Sequence, residues 1–263
     1  MLTRRLIVCL DVKGARVVKG VNFVGLRDVG DPVSLAEHYE REGADEITFL
    51  DISASSEERA TLLDVARRTA ERLFIPLTIG GGVRTADDVA RVLRAGADKV
   101  SLNSAAVSRP EVLSEVADRF GAQCVVASID AKKDDAGVWR VWIKGGREQT
   151  SLEAVAWAQE CVRLGAGEVL LTSIDRDGAR TGYDLALTRA IADAVNVPVI
   201  ASGGAGVAQH LVDGVIAGHA DAVLVAGILH DGVTTVKALK DHMRAAGLPV
   251  RNVVADSAIE ASA

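Results

Sequence analysis

The chain has 263 residues, of which 49% are hydrophobic, 25% charged and 3% aromatic, and its net charge is −6. These proportions exclude a disordered, collagen-like or disulfide-scaffolded protein, and the mixed charges lack the basic stripe of a nucleic-acid-binding protein. The longest apolar run, residues 222–229, is far shorter than the roughly 20 residues that cross a bilayer. The start of the chain is unlike a signal peptide. We therefore expect a cytoplasmic protein with buried free thiols, which binds neither nucleic acid nor membrane.

Eight apolar segments of strand length alternate with helical patterns along the chain. Most are continuous runs of Val, Ile and Leu, which is typical of parallel strands buried on both faces. Residues that can cap a following helix stand at Asp31, Thr85, Ser151 and Asp184. Eight strands that are each followed by a helix indicate a (β/α)8 barrel or an open, doubly wound sheet. The predicted strands are residues 6–10, 46–51, 77–79, 99–103, 124–130, 168–173, 199–201 and 222–226.

An internal repeat distinguishes these two folds. Helix-ending glycines and glycine turns recur 122 residues apart, as in the pair Gly81 and Gly203. Asp11 and Asp130, which lie 119 residues apart, each end an apolar strand. Two similar halves fit a closed barrel better than an open sheet with unequal edges. We predict an α/β fold, a single (β/α)8 TIM barrel of two half-barrels over residues 1–254, followed by a frayed tail at residues 255–263.

Two long connections break the regular spacing. Residues 12–31 follow the first strand, and residues 131–150 follow the fifth, where alternation at residues 138–143 predicts a small hairpin. Long loops in compact domains are usually functional or disordered. Because these two occupy equivalent places in the two halves, each after an aspartate, we expect a function.

Asp11 and Asp130 end the first and fifth strands, which face each other across an eight-stranded barrel. Working groups of such barrels lie at the C-terminal ends of the strands. Carboxylates on opposite sides of one substrate suit general acid–base catalysis, in which one group accepts a proton while the other donates. The alternative is that each aspartate only caps the loop that follows it.

Glycine turns at residues 80–82 and 203–204 each precede a helix, and their bare N–H groups can bind anions. Alternatively, the glycines serve only tight turns. Two such sites predict a substrate with a phosphate at each end. A loop lysine can stay solvated or fold over that site. The candidate substrate- and phosphate-binding residues are Lys19, Gly82, Asn103, Ser104, Asp177, Ser202, Gly203, Gly204, Ala226 and Gly227. No histidine has metal spacing and no dinucleotide motif occurs, so we expect neither metal nor cofactor.

Several collinear motifs carry a resemblance to one family. They are Cys9-Leu-Asp-Val-Lys13, Arg16-Val-Val-Lys-Gly20, Asn22-Phe23, Phe49-Leu-Asp-Ile52, Ile79-Gly-Gly-Gly82, Leu171-Thr-Ser-Ile-Asp-Arg-Asp-Gly178 and Ala201-Ser-Gly-Gly-Ala-Gly206. With these motifs, residues 1–254 resemble the cyclase family of imidazole glycerol phosphate synthase, from histidine biosynthesis. The resemblance implies that PRFAR, a bisphosphorylated aminoimidazole carboxamide ribotide, reacts with ammonia to give imidazole glycerol phosphate and AICAR. It also implies acid–base roles for Asp11 and Asp130.

The resemblance also assigns the opposite end of the barrel. It implies a heterodimer in which a separate glutaminase subunit supplies ammonia, with Asp98 near the contact between the subunits. Ammonia would enter through a charged ring at the starts of four strands. The alternative for these residues is an ordinary surface salt-bridge cluster of little energetic value. The residues of the ring are Arg5, Glu46, Lys99 and Glu168.

Some positions depart from the family pattern. Gly14-Ala15 and Thr150-Ser151 differ from it, and Ala226-Gly227 removes a hydroxyl from one phosphate site, a loss of about 0.5–1.5 kcal/mol. Two alternatives stay open at this point. One is a barrel like the phosphoribosyl aminoimidazole carboxamide isomerase of the same pathway, which needs no ammonia and lacks the charged ring. The other is a non-catalytic or engineered barrel that retains the site.

Overall fold

The computed structural model describes residues 2–21, 24–52 and 56–252. Eight parallel strands close into a barrel, in which each strand pairs with the next barrel strand along the chain and the last pairs back onto the first. All eight predicted strands and the predicted (β/α)8 fold are confirmed. The predicted tail and the Asn22-Phe23 motif lie outside the described residues. The barrel strands are β1 (Arg5–Lys13), β4 (Glu46–Asp51), β5 (Leu77–Gly80), β6 (Lys99–Leu102), β7 (Val125–Lys133), β10 (Glu168–Ser173), β11 (Val199–Ser202) and β12 (Ala222–Val225).

Helices lie between successive barrel strands. Within the described ranges, none of them is both long and apolar enough to cross a membrane. They are α1 (Pro32–Arg41), α2 (Ser56–Ala70), α3 (Ala86–Arg94), α4 (Ser104–Ser108), α5 (Glu111–Phe120), α6 (Ala154–Arg163), α7 (Leu185–Ala192), α8 (Ala208–Ile216), α9 (Gly227–His230) and α10 (Val236–Ala245), with a 3-10 turn at Ala122–Cys124.

Within the described residues, both long connections form antiparallel hairpins. β2 (Arg16–Val21) and β3 (Val24–Gly30) extend β1, while β8 (Trp139–Ile143) and β9 (Glu148–Glu153) extend β7. The predicted hairpin at residues 138–143 is confirmed, but the hairpin in the first connection was not predicted. Each hairpin begins just beyond a strand-end aspartate, so both rise from the C-terminal mouth of the barrel.

Three of the four predicted helix caps are confirmed. Asp31 and Asp184 accept backbone N–H bonds at the starts of α1 and α7, and Thr85 forms a capping box with Asp88. The prediction for Ser151 is wrong, because the chain continues there as β9 and pairs with β8. The carboxylate of Glu153 caps α6 instead.

Apolar side chains form two layers, one on each side of the barrel wall. Outward-facing residues such as Leu6 and Val8 pack against the helices. Because inward-facing residues are apolar too, the strands are continuous apolar runs. The expectation of three buried thiols holds for Cys9 and Cys161, while Cys124 is only half-buried. The inner cluster consists of Ile7, Cys9, Val126, Leu170, Ile200, Ala222 and Leu224.

Candidate active site

The C-terminal mouth of the barrel holds the two predicted catalytic aspartates. Side chains alternate along a strand, so Asp11 points inward like Cys9 on β1. By the same alternation Asp130 points inward like Val126 on β7. β1 and β7 are four places apart in the ring of eight strands. The two carboxylates therefore face each other across the mouth, as predicted.

Both carboxyl groups titrate near neutral pH. Burial, reinforced by the negative charge of Asp177, raises the pKa of Asp11 to about 7. Burial and Asp177 also raise the pKa of Asp130 to about 7, against a hydrogen bond from Asn103 that lowers it. A carboxyl with a pKa near 7 exchanges protons readily at physiological pH. The site can therefore hold one acid and one base together.

Asp177 is the charged neighbour that both carboxyl groups share. It lies at the rim, in the turn after β10, and the residue is exposed. Partial desolvation inside the cleft raises the pKa of Asp177, while the N–H of Gly178 lowers it. No three His, Cys, Asp or Glu side chains of the described residues are grouped to hold a metal ion.

Asn103 and Ser104, predicted to bind phosphate, also contact neighbouring elements. Nδ2 of Asn103 donates to Oδ2 of Asp130 at 2.9 Å. In the described part of the chain, Oδ1 of Asn103 is buried without a partner. Oγ of Ser104 accepts the backbone N–H of Lys144, between β8 and β9, at 2.9 Å. Asn103 thus orients a catalytic candidate, and Ser104 holds the second hairpin.

The two glycine turns have conformations that require glycine. Gly81 and Gly204 have φ of 89° and 106°, in the left-handed region. A Cβ would lie 2.2 Å from the carbonyl oxygen of Asp51 at Gly81, and 2.3 Å from that of Gly182 at Gly204. Close packing thus accounts for glycine at these two positions. The neighbouring Gly82 and Gly203 also have positive φ, and Ser202 is half-buried at the end of β11.

Lys19 folds over the mouth rather than remaining free in solvent. Its Nζ donates to the carbonyl oxygen of Gly227 at 3.2 Å and pairs with the carboxylate of Asp231. Gly227 is the first residue of α9, directly after Ala226, and a Cβ there would lie 3.3 Å from Nζ of Lys19. Arg27 and Arg180 also pair with Asp231. Arg27, Arg180 and Asp231 are not among the predicted site residues.

His230, the residue before Asp231, connects α9 to β1. Its Nε2 lies 3.0 Å from the carbonyl oxygen of Cys9, and its Nδ1 lies 2.8 Å from the hydroxyl of Tyr39. A carbonyl only accepts, so Nε2 carries the proton and Nδ1 accepts from Tyr39. Burial lowers the pKa of His230 to about 4. The neutral imidazole thus holds α9 against β1 at Cys9, two residues before Asp11.

The predicted charged ring exists at the opposite end of the barrel. Arg5 bonds to Glu46 at 2.6 Å and to Glu168 at 2.5 Å, and Lys99 bonds to them at 3.0 and 2.8 Å. Burial disfavours the charged guanidinium of Arg5, but the two carboxylates outweigh burial and raise its pKa. The exposed Asp98 accepts the N–H of Leu77 at 2.8 Å. The ring is closed, since each carboxylate contacts both cations.

Comparisons with known proteins agree with the motifs. The family model for histidine biosynthesis proteins matches residues 5–235. The imidazole glycerol phosphate synthase subunit HisF of Myxococcus xanthus (strain DK1622) is 72% identical over 253 residues, 96% of this chain and 100% of that protein. The same subunit of Synechococcus sp. (strain CC9605) is 60% identical over 255 residues, 95% and 100% of the two chains. The chain therefore belongs to the HisF family, the cyclase subunits of imidazole glycerol phosphate synthase, and is an enzyme subunit.

Proposed function

We propose that this chain converts PRFAR and ammonia into imidazole glycerol phosphate and AICAR, with loss of one water molecule. The observation that carries the proposal is the pair formed by Asp11 and Asp130 on opposite strands, each with a pKa of about 7. Imine formation, cleavage and ring closure each move protons, and such a pair can supply and remove them at neutral pH.

The surroundings of the two carboxyl groups support different first roles. The amide of Asn103 stabilises the ionised form of Asp130. Asp11 instead faces the weak thiol donor of Cys9, at 4.0 Å. We therefore assign Asp130 as the base that accepts a proton from the attacking ammonia. Asp11 is the acid that protonates the ribulosyl oxygen, which leaves as water.

Each phosphate of the substrate would lie on one glycine turn. The turn at residues 80–82 and the one at residues 203–204 follow β5 and β11, on opposite sides of the mouth. Gly227 and the ammonium of Lys19 lie on the second side and would add a donor and a positive charge. This spacing holds the middle of the substrate between Asp11 and Asp130.

Ammonia would enter through the charged ring from a glutaminase subunit bound at the N-terminal end, where Asp98 is exposed. The ring is the observation that separates this proposal from the isomerase alternative, which needs no ammonia. Opening it requires only that Lys99 move, since Arg5 alone can keep both carboxylates paired. Because ammonia would come from a separate glutaminase subunit, this route implies a heterodimer of the two subunits.

The test measures turnover of PRFAR with an ammonium salt at alkaline pH, and the loss of substrate absorbance monitors the reaction. We expect turnover, and we expect Asp11→Asn and Asp130→Asn each to lower it by about 100-fold or more. Asp193→Asn is the control, because Asp193 carries a surface carboxylate that is paired with His219. No turnover by the folded protein would support the non-catalytic barrel, whereas ammonia-independent isomerisation of the ribotide would support the isomerase.

A further inference from the structure

Three cations converge on the single carboxylate of Asp231. Lys19 comes from β2, Arg27 from β3 and Arg180 from the loop after β10, and all three pair with it. His230, the preceding residue, is held by Tyr39 and the carbonyl of Cys9, so the backbone at Asp231 is anchored. Three positive charges against one negative charge leave the cluster with a net positive charge, which attracts an anion such as a phosphate group.

This cluster lies beside the second glycine turn. Nζ of Lys19 is 3.2 Å from the carbonyl oxygen of Gly227. On the other side, the backbone of Arg180 packs against Gly206. A Cβ on Gly206 would lie 2.2 Å from the carbonyl oxygen of Arg180. The three cations thus come from the two sides of the mouth that border the proposed phosphate position.

The ion pairs are open enough to exchange partners. The side chains of Lys19 and Asp231 are 21% and 23% exposed, and that of Arg27 is 58% exposed. Through these pairs the exposed arginines, Arg27 and Arg180, contribute little stability. An incoming anion can therefore replace the carboxylate without disrupting buried structure.

We propose that Asp231 is an internal counter-ion that the phosphate of the substrate replaces, so that Lys19, Arg27 and Arg180 become ligands of the phosphate. The carboxylate keeps the three cations together over the mouth. When phosphate binds, they exchange the carboxylate for phosphate oxygens, and the β2–β3 hairpin that carries Lys19 and Arg27 is held by the substrate instead. The identity of the substrate rests on the proposed function, but phosphate binding by this cluster does not.

The test is the dissociation constant of inorganic phosphate, measured by calorimetry at pH 8 and constant ionic strength. The part of the measured phosphate binding that is lost in Lys19→Met is assigned to this site, which separates it from phosphate binding elsewhere on the protein. For that component, Asp231→Asn should tighten binding about tenfold, the effect of removing one competing charge in partly solvated surroundings. Arg180→Gln and Arg27→Gln should weaken it, and Asp231→Glu should retain the wild-type constant.

Asp193→Asn is the matched control, because it removes a carboxylate that is paired with Arg189 and His219 away from this cluster. It should leave phosphate binding unchanged. Unchanged or weaker binding in folded Asp231→Asn would overturn the proposal and make Asp231 only a structural clamp. Phosphate binding needs no turnover, so a protein that fails to convert PRFAR still tests this inference independently.

Discussion

Nδ2 of Asn103 lies 2.9 Å from Oδ2 of Asp130 and joins the ends of two neighbouring strands, β6 and β7. This hydrogen bond lowers the pKa of Asp130 against the effect of burial. Asn103→Leu should therefore raise the pKa of Asp130 further above its ordinary value. If Asp130 is the base, the acid limb of the pH profile of kcat/KM should move upward with it. Ammonia-dependent turnover measures this, with the concentration of unprotonated ammonia kept constant at every pH.

Gln209→Ala is the control for Asn103→Leu, because the amide of Gln209 donates to Asp213 on the surface. It should leave the pH profile in place. A lower kcat in Asn103→Leu with an unmoved profile would show that Asn103 acts on the substrate and not through Asp130.

Asp177 offers a test in the opposite direction. Its charge raises the pKa of both Asp11 and Asp130. Asp177→Asn should therefore lower both values, which carboxyl NMR titration of the ligand-free protein would show directly. Asp175→Asn is the matched control, because the carboxylate of Asp175 instead accepts the N–H of Lys133 at 3.0 Å. Equal shifts in both variants would rule out a specific effect of Asp177.

The barrel was predictable because its signals are local or periodic. Strands buried on both faces appear as continuous apolar runs, and the offset of 122 residues between Gly81 and Gly203 reveals two halves. The position of Asp11 and Asp130 at strand ends then follows from the fold. The cap at Ser151 failed for a local reason, since the pairing of β9 with β8 extends the strand as far as Glu153.

The contacts within the site were less predictable because they join distant parts of the chain. Asp231 is 204 residues from Arg27 and 51 from Arg180, and no periodic pattern links them. The one available signal was that Arg27 lies on the same long connection as Lys19. Likewise, the position of Asn103 at a strand end predicts a phosphate ligand, but its bond to Asp130 depends on the geometry between two strands, which no sequence pattern shows.

The charged ring makes a prediction that separates stability from ammonia transfer. Glu46 and Glu168 have side chains only 6% and 8% exposed, and Lys99 bonds to both. Lys99→Met leaves them with Arg5 alone, so the free energy of unfolding should fall by about 2–3 kcal/mol. Because the ring can then no longer close, the proposed entry of ammonia through it predicts that glutamine-driven turnover with a glutaminase subunit changes more than turnover with added ammonium. Urea unfolding and the ratio of these two rates measure the two effects.

Lys237→Met is the control for Lys99→Met, since Lys237 pairs with Asp241 on the surface with its side chain 64% exposed. Its effect on unfolding should stay below about 0.5 kcal/mol. An unchanged rate ratio in Lys99→Met would leave the ring with a structural role and contradict ammonia entry at this point.

The raised pKa of Asp130 also predicts a dependence of stability on pH. In the folded protein the carboxyl titrates at about 7, against 3.8 for an unperturbed aspartate. Between about pH 4 and pH 7, the folded state therefore holds a proton that the unfolded state has lost. The contribution of this group to the free energy of unfolding falls as the pH rises through that window, and the loss is complete above pH 7.

Asp130→Asn should therefore stabilise the protein at pH 8 while it removes activity. The full pKa shift corresponds to about 4 kcal/mol, and because Asp130 is partly open to the cleft we expect a gain of about 2 kcal/mol. The gain should vanish near pH 4, where aspartate is protonated in both states. Urea unfolding of wild type and variant at pH 4 and pH 8 measures it, with Asp193→Asn as the surface control. A variant less stable than wild type at pH 8 would show that the ionised carboxylate is stabilised where it lies.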